Sequence, residues 1–221
     1  MEAKSRKNFN CLYIIGDSFV VGQGQADDRN KEINHDNRFS SLLSKNLNLK
    51  EINKGLAGGS NEYVFRQTII DIGNLIHNNI KPLVICVYTD VWRKELYCNK
   101  SDNLNSIENF IKDYHINHYD QLYSYQHSIS LIAGLQSFLK INNIDFIELS
   151  SLGSRNNIKE YDENNLIDNT NYFFDIEEVI GYNRFHLDET ESLYNGHPTA
   201  LGHRLIAEKL EETLINRRYI K

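Results

Sequence analysis

Short apolar runs alternate with helically periodic segments along most of this chain. Four of the runs predict buried strands, at residues 11–15, 49–53, 83–87 and 144–149. Between these runs, and after the last one, apolar residues recur every three to four positions, which predicts helices. Strands that alternate with helices indicate a parallel sheet covered on both faces, with right-handed crossovers. The pattern therefore predicts the α/β class, with a mostly parallel sheet of four or five strands.

Four helical segments carry the clearest apolar stripes. They are predicted at residues 37–46, after the glycine turn 55–59 with Ser60 or Asn61 as the cap, within 103–143, and from Pro198 onward. The residues expected on the inner faces of these helices are Phe39, Leu42 and Leu43; Phe65, Ile69, Ile72 and Ile76; Ile129, Ile132, Leu135 and Leu139; and Leu201, Leu205, Ile206 and Leu210.

The domain organisation follows from the length and from the absence of linkers in the sequence. The 221 residues contain no internal repeat and no segment rich in proline, glycine or serine, so a single domain spanning 1–221 is expected. Residues 151–190 are the least regular part, Asn-rich and acidic, with interruptions at Gly153 and Gly181. That segment is interpreted as a surface excursion or cap of the same domain.

The acidic balance of the chain narrows the classes of partner. The formal net charge is −6 and the sequence pI is about 5.8, so a basic surface for nucleic acid is not expected. The longest apolar stretch, residues 83–88, is far shorter than the roughly 20 residues that cross a bilayer, so no membrane association is expected. The composition leaves the oligomeric state open, including a homo-oligomer.

The N-terminus and the cysteines bear on the compartment. Basic residues precede the apolar run 11–15 and loosely imitate a secretion signal, but the run is too short and lacks a cleavage pattern. Cys11, Cys86 and Cys98 form an odd set without metal-ligand spacing. Buried thiols in a reducing compartment are the simplest interpretation, which predicts a cytoplasmic protein.

Ser18 directly follows the first predicted strand, in the tripeptide Gly-Asp-Ser at 16–18. Open α/β folds place their sites at the carboxyl ends of parallel strands, where this serine is expected. If a helical turn begins there, the backbone N–H groups around Ser18 point toward an anion that forms when its hydroxyl attacks a carbonyl. A polar turn that merely closes the strand is the alternative, since three residues do not exclude it.

His197 immediately precedes the proline at which the last helix is predicted to begin. An imidazole is the usual base for a serine hydroxyl because its pKa lies near neutral pH. Capping of the helix is the structural alternative, but the combination of His197 with Ser18 favours catalysis. His203, six residues further on, is expected only to pack within the helix.

A glycine-rich segment, residues 53–61, follows the second predicted strand. Its glycines allow the backbone to approach a reacting oxygen closely, and the N–H of Gly58 can complete an oxyanion hole. An ordinary strand-to-helix turn, capped by Ser60 or Asn61, is compatible with the same residues.

Together, these blocks resemble those of the SGNH (GDSL-like) hydrolase superfamily, and they span residues 11–210. The family's Gly-Asp-Ser block is matched by residues 16–18, its strand-end Asn and following Gly by Asn53 and Gly58, and its C-terminal His by His197. The resemblance implies a flavodoxin-like three-layer sandwich and a serine mechanism for ester hydrolysis or acyl transfer. It implies no metal or organic cofactor.

The third family block is altered in this chain. The family has Gly-x-Asn-Asp after the third strand, and residues 87–90 put Thr89 where that oxyanion-binding Asn belongs. A threonine hydroxyl donates one hydrogen bond over a shorter reach. Asn61 is an alternative donor, because a divergent branch of the superfamily carries Gly-x-Ser-Asn in the second block and Arg-x-Glu after the third strand, as at 93–95 here. The expected oxyanion hole is therefore Ser18 and Gly58 with Thr89 or Asn61.

The acid of the triad is not at its usual place. The family has an Asp three residues before the catalytic His, and this chain has Tyr194 there. Loss of the orienting acid can cost roughly 10⁴ in rate. Three outcomes stay open: another carboxylate substitutes, a backbone carbonyl orients His197, or the protein is weakly active or inactive. Glu191 is the candidate retained, with Asp188 and Asp90 as further carboxylates.

Residues around the first and third strand ends are expected on the substrate side: Asp17, Tyr88, Asp90, Trp92 and Arg93. Flat amphipathic rings suit a sugar or a polar acyl ester better than a long lipid chain, although burial in the core explains aromatic residues equally well. Arg93 can also form a simple surface ion pair with Glu95.

A metal site is considered and rejected for the middle of the chain. His115, His118 and Asp120 share a helix face, but only His127 is available as a further ligand, so a solvated helix face is the better interpretation.

The predicted function is hydrolysis of a short acyl ester, such as an acetyl ester, on a polar or carbohydrate carrier by Ser18 and His197. Acyl transfer on the same scaffold and a non-catalytic binding or structural module are the alternatives.

Overall fold

Five strands and seven α-helices occur in the part of the chain that the computed structural model describes, residues 8–23, 35–93, 120–151, 154–180 and 197–220. The strands are β1 (Cys11–Gly16), β2 (Lys50–Gly55), β3 (Pro82–Tyr88), β4 (Asp145–Ser150) and β5 (Tyr172–Asp175). The helices are α1 (Ser18–Val21), α2 (Phe39–Leu47), α3 (Asn61–His77), α4 (Gln121–Ile141), α5 (Ser154–Tyr161), α6 (Ile176–Ile180) and α7 (Ala200–Asn216).

The strands form one parallel sheet in the order β2-β1-β3-β4-β5. Neighbouring strands end level with one another, since Gly16 pairs with Gly55 and Tyr88 pairs with Ser150. The segments that leave these strands therefore meet along one edge of the sheet, called here the carboxyl edge. The predicted α/β class is confirmed, with five parallel strands.

Two apolar layers cover the sheet, one on each face. Along β1, Leu12 and Ile14 belong to the layer beneath α2, α6 and α7, while Tyr13 and Ile15 belong to the layer beneath α3 and α4. This alternation is the two-residue period of a strand, and all four side chains are fully buried. β1 is thus buried on both faces, which holds its carboxyl end in a fixed place.

The four strands predicted from apolar runs are confirmed to within two residues at each end. β5 is the exception, because it lies within the segment predicted as a surface excursion. It is only four residues long, and its pairing with β4 shifts register between Glu148 and Leu149. Such a short strand carries too little periodicity to be distinguished from a loop, and its partner strand identifies it.

The inner face predicted for helix α3 is confirmed in part, since Ile72 is fully buried and Phe65 and Ile69 pack against the core. Val64 and Thr68 are buried, whereas Phe65 and Ile69 are only partly buried and Ile76 is 37% exposed. Thr68 tolerates burial because its hydroxyl donates to the Val64 carbonyl at 2.6 Å. The apolar pattern counted threonine as polar, so the burial of Thr68 was not predicted.

Helix α7 begins two residues later than predicted. Thr199 is its N-cap, with Oγ1 accepting the N–H of Gly202 at 3.2 Å, and Pro198 precedes the cap. Leu201, predicted to be buried, is 51% exposed, while Ile206 and Leu210 are buried as predicted. The stripe predicted for α4 is confirmed. None of the described helices is long and apolar enough to cross a membrane.

Two of the three cysteines are buried free thiols, Cys11 and Cys86, and Cys98 lies outside the described residues. Burial raises the pKa of both thiols. Because the thiolate is the nucleophilic form, these two residues have structural roles in the core.

Candidate active site

Ser18 and His197 meet at the carboxyl edge although 179 positions separate them in the chain. The distance from Ser18 Oγ to His197 Nε2 is 2.8 Å, which is hydrogen-bond range. Ser18 is the first residue of α1, directly after β1, and His197 directly precedes Pro198 and the cap of α7. A hydroxyl that faces an imidazole at this distance has the geometry of a nucleophile with its general base.

The turn that presents Ser18 requires glycine at position 16. A Cβ on Gly16 would lie 2.7 Å from Val20 Cγ2, 2.8 Å from Val87 Cβ and 2.9 Å from the Val87 carbonyl oxygen. Such contacts do not occur in folded proteins, so any side chain here would push α1 away from β3. The absence of a side chain allows the chain to turn from strand to helix against its neighbour.

The imidazole of His197 packs against the residue that follows Ser18. Its ring lies against Phe19 with a centroid distance of 5.6 Å and an angle of 59° between the ring planes. Two residues after His197, the capping bond of Thr199 fixes where α7 starts. Phe19 is itself buried in the core. Helix α1 therefore carries the nucleophile, Ser18, and also the adjacent residue that positions its base, His197.

The loop after β2 lies beside the nucleophile turn. The N–H of Leu56 donates to the Gly16 carbonyl at 3.0 Å, and the N–H of Gly59 closes a tight turn onto the Leu56 carbonyl at 2.8 Å. Gly58, at the third position of that turn, is exposed and has φ +73°, in the left-handed region that favours glycine. Gly58 therefore belongs to a backbone segment anchored on the last residue of β1, two positions before Ser18.

Asn53, the strand-end residue of the second block, forms hydrogen bonds that hold β2 against α1. Its Nδ2 donates to the Val20 carbonyl and to Ser40 Oγ, each at 2.8 Å, and its Oδ1 accepts the N–H of Gly55 at 2.9 Å. The side chain thus joins the end of β2 to α1.

Asn61 and Thr89, the two alternatives for the side-chain oxyanion donor, bind each other. Asn61 accepts the Thr89 N–H at 3.0 Å, and its Nδ2 donates to the Thr89 carbonyl at 3.1 Å and to Ser128 Oγ at 3.4 Å. The Thr89 hydroxyl donates to Asp17 Oδ2 at 3.1 Å. In this conformation the Asn61 amide donates to the loop after β3 and to Ser128 in α4, so neither of its N–H groups is directed at Ser18.

Asp17 occupies a different environment from the one expected of a substrate-binding residue. Its side chain is buried, and its Oδ1 accepts the N–H of Phe19 at 3.0 Å. Its Oδ2 accepts from Thr89 Oγ1, from Ser151 Oγ at 2.9 Å and from Arg93 Nη1 at 3.0 Å. This environment does not favour a contact between Asp17 and substrate, because four donors from the protein already surround its carboxylate.

Tyr88 is also placed differently from the prediction. It is 2% exposed, packs in the core beneath α3 and α4, and donates its hydroxyl to Glu148 at 2.8 Å. Gln136 Nε2 donates to the other oxygen of Glu148 at 2.7 Å. The alternative interpretation, an aromatic residue that fills the core, is the correct one for Tyr88.

The loop after β3 leaves Trp92 accessible. Its side chain is 44% exposed, and the guanidinium of Arg93 lies 5.7 Å from its ring centroid.

Burial raises the pKa of Asp90, while the hydrogen bond from Trp92 and the charge of Arg93 partly oppose that rise. Arg93 pairs with Asp17, and Glu95 lies outside the described residues.

The acid candidate Glu191 lies outside the described residues, as does Asp188. His115 and His118 also lie outside them, and Asp120 caps α4 by accepting the N–H of Tyr123 at 2.8 Å. Across the described ranges, no group of three His, Cys, Asp or Glu residues is arranged to hold a metal ion.

Two residues near the site were not identified from the sequence in the roles they have. Ser151, directly after β4, contributes to the bonds of Asp17. His203 is fully buried and accepts the N–H of Phe39 on Nδ1 at 3.3 Å, which links α7 to the first residue of α2. A polar residue just after each central strand was the available signal for Ser151, since parallel strand ends share one edge.

The charge state of His203 follows from its burial, which is the main reason that its pKa falls to about 4. The backbone of Gln23 opposes this fall, and the nearby His197 and Arg38 add to it. His203 is therefore neutral at pH 7, in keeping with its role as an acceptor.

Comparison with known proteins finds no matching family model and no matching curated protein, but it finds solved structures of the same fold. A protein described as lipolytic, of the G-D-S-L family, from Desulfitobacterium hafniense DCB-2 is 19% identical with a TM-score of 0.55, and the match covers 93% of this chain and 99% of that one. The psychrotrophic esterase EstA from Pseudoalteromonas sp. is 12% identical with a TM-score of 0.54, covering 94% and 97%.

The acetyl xylan esterase Est2A from the rumen bacterium Butyrivibrio proteoclasticus is 16% identical with a TM-score of 0.56, and the match covers 97% of this chain and 65% of that one. The fold of this chain is thus the α/β fold of SGNH-like (GDSL) hydrolases. The resemblance drawn from the sequence blocks is confirmed at the level of the fold.

Proposed function

We propose that the protein is a serine esterase that hydrolyses a short acyl ester, such as an acetyl ester, on a polar or carbohydrate carrier. The observation that carries this proposal is the 2.8 Å hydrogen bond between Ser18 Oγ and His197 Nε2 at the carboxyl edge of the sheet. The same edge is where open α/β folds bind their substrates.

The chemistry assigned to these two residues is acyl transfer in two halves. Ser18 Oγ attacks the ester carbonyl while His197 Nε2 takes its proton; the carbonyl then reforms, the alcohol leaves and receives that proton. Water next loses a proton to His197 and attacks the acyl-enzyme, which releases the acid and restores the Ser18 hydroxyl. No cofactor is required for either half.

Backbone N–H groups are the donors that we assign to the oxyanion. Ser18 is the first residue of a helical turn, and Gly58 lies in an exposed turn anchored on Gly16. A Cβ at position 58 would meet no atom within 4 Å, so this part of the loop borders open space. Thr89 and Asn61 support the loops around the site in this proposal, because their hydrogen bonds are directed to Asp17 and to each other.

The polar substrate class is supported by Trp92. Its accessible indole is located after β3 at the same edge as Ser18, and amphipathic rings bind sugar faces well. Among the structural neighbours, Est2A is an acetyl xylan esterase. An acetylated sugar is therefore the substrate class we propose.

A covalent probe tests the proposal directly. Incubation with a fluorophosphonate should label the wild-type protein on Ser18, and Ser18→Ala should abolish both labelling and turnover of p-nitrophenyl acetate. Ser130→Ala is the matched control, because this exposed serine donates only to the Gln126 carbonyl within α4. Labelling that persists in Ser18→Ala would contradict the assignment of the nucleophile.

The same assay separates hydrolysis from the alternatives. Acyl transfer predicts that an added sugar acceptor competes with water for the acyl-enzyme and yields an acylated sugar. A binding module predicts equal background turnover in wild type and Ser18→Ala. An esterase predicts free acetate as the product from an acetylated sugar.

A further inference from the structure

The buried carboxylate of Asp17 joins three strand ends to the residue after the nucleophile. Its Oδ1 accepts the N–H of Phe19 at 3.0 Å. Its Oδ2 accepts from Thr89 after β3 at 3.1 Å, from Ser151 after β4 at 2.9 Å and from Arg93 at 3.0 Å. Asp17 itself follows β1, so its carboxylate connects the ends of β1, β3 and β4.

The Asp17 side chain is fully buried, whereas that of Arg93 retains 21% exposure. A carboxylate removed from water is stable only when a cation or several hydrogen-bond donors compensate its charge. Arg93 is the cation in contact with Asp17, and its stem reaches the carboxylate from the loop after β3. Ser151 adds a neutral donor from the opposite side of β3.

We infer that Arg93 and Ser151 are positioning residues that hold Ser18 in place through the buried Asp17 carboxylate. The inference rests on the proposed esterase function, and it adds two residues to that function that touch neither substrate nor His197. Asp17 caps α1, so a displaced carboxylate would release the first turn of the helix that carries the nucleophile.

The proposed chemistry of Ser18 and His197 is sensitive to small shifts of the first turn of α1. Ser18 Oγ and His197 Nε2 are already at 2.8 Å, and a displacement of about 1 Å at reacting groups can cost 10²-fold in rate. Since Arg93 acts on Ser18 and not on the substrate, its loss should lower kcat and leave KM nearly constant. A direct substrate contact would have the opposite signature.

The decisive experiment is a double-mutant cycle on kcat and KM for an acetyl ester, together with the rate of fluorophosphonate labelling. Arg93→Gln should lower kcat and the labelling rate together, by about 10- to 100-fold, with KM changed less than about threefold. Arg93→Lys should recover part of the loss because it restores the charge. Ser151→Ala should show the same pattern at about 3- to 10-fold, since it removes one of four donors.

The cycle with Asp17→Asn tests whether the effects pass through the carboxylate. Arg93→Gln added to Asp17→Asn should cost no further kcat, whereas independent roles would multiply the two losses. Lys140→Gln is the matched control, because it removes an exposed ion pair with Asp168 far from the carboxyl edge, at the last turn of α4. It should leave kcat and labelling unchanged.

A crystal structure of Arg93→Gln separates failure of this inference from failure of the proposed function. The Ser18 Oγ to His197 Nε2 distance should exceed hydrogen-bond range in the variant, whether or not the wild-type protein hydrolyses esters. An unchanged distance, or a rise in KM with kcat preserved, would overturn the positioning role. Failure of the fluorophosphonate to label the wild-type protein would instead contradict the proposed esterase function.

Discussion

Two histidines only six positions apart differ in every property that matters for chemistry. His197 lies before α7 at the carboxyl edge, partly buried, with Nε2 on the Ser18 hydroxyl. His203 lies one turn inside α7, fully buried, with Nδ1 on the N–H of Phe39 and a pKa lowered to about 4. The same side chain is a candidate base in one place and a neutral structural acceptor in the other, and the start of the helix separates the two.

The difference shows what a general base needs from its surroundings. His197 contacts a hydroxyl, and the loop position leaves its ring at the rim of the sheet. His203 is enclosed by apolar side chains, including Phe39, whose ring is stacked on it at 5.9 Å. Enclosure keeps an imidazole neutral but denies it a reacting partner, so burial alone does not make a catalytic histidine.

The largest effect should come from removing His197, the partly buried member of the pair. His197→Ala is expected to lower kcat for p-nitrophenyl acetate by roughly 10³- to 10⁴-fold, because Ser18 loses its general base. Steady-state kinetics with matched thermal unfolding curves would measure this. Turnover equal to that of wild type would remove His197 from the mechanism.

The buried member should instead make stability depend on pH. The pKa of His203 is about 4 in the folded protein and near 6.5 when unfolded, so the folded state binds fewer protons. The contribution of neutral His203 to the free energy of unfolding is fully present above pH 6.5. It is lost as the pH falls toward 4, which lowers that free energy by about 3 kcal/mol in total.

Denaturant unfolding of wild type and His203→Leu at pH 7, 5.5 and 4 would measure that contribution. The free energy of unfolding should fall more steeply with acid in wild type, and the difference between the proteins should narrow or reverse at low pH. Parallel pH curves for the two proteins would show that His203 is not the titrating group.

At neutral pH the same substitution should weaken the fold with little effect on the chemistry. His203→Leu leaves the N–H of Phe39 without its acceptor in the core, which typically costs about 1–3 kcal/mol. We expect kcat within a few-fold of wild type once the protein is folded. A loss of kcat comparable with that of His197→Ala would erase the contrast between the two histidines.

The smallest expected effect is at Thr199, the N-cap of α7, which lies between His197 and His203 in the sequence. Thr199→Ala removes the bond from Thr199 Oγ1 to the N–H of Gly202 and should destabilise the protein by about 1 kcal/mol. Because His197 is two residues away, kcat should fall several-fold, while the pH dependence due to His203 should persist. Thermal unfolding and kinetics on the same preparations would compare both effects.

Prediction from the sequence succeeded where a local pattern sufficed. The central strands are runs of apolar residues with no competing assignment, and α4 repeats its buried residues at helical spacing. It did not indicate the burial of Tyr88 and Asp17, which were expected on the substrate side, or of Thr68 in α3. Hydrogen bonds with distant residues, Glu148 for Tyr88 and Arg93 for Asp17, allow burial that composition does not indicate, and Thr68 bonds within its own helix.

The order of strands and helices, the place of Ser18 after a buried strand and that of His197 before a helix were determined by the sequence, because periodicity and turn chemistry act over a few residues. The partners of Asp17, the pairing of Asn61 with Thr89 and the contrast between His197 and His203 were decided only by the tertiary structure. Apart from the local bond between Asp17 and Phe19, these contacts join residues 28 to 179 positions apart, and a sequence pattern acting over a few residues does not reveal them.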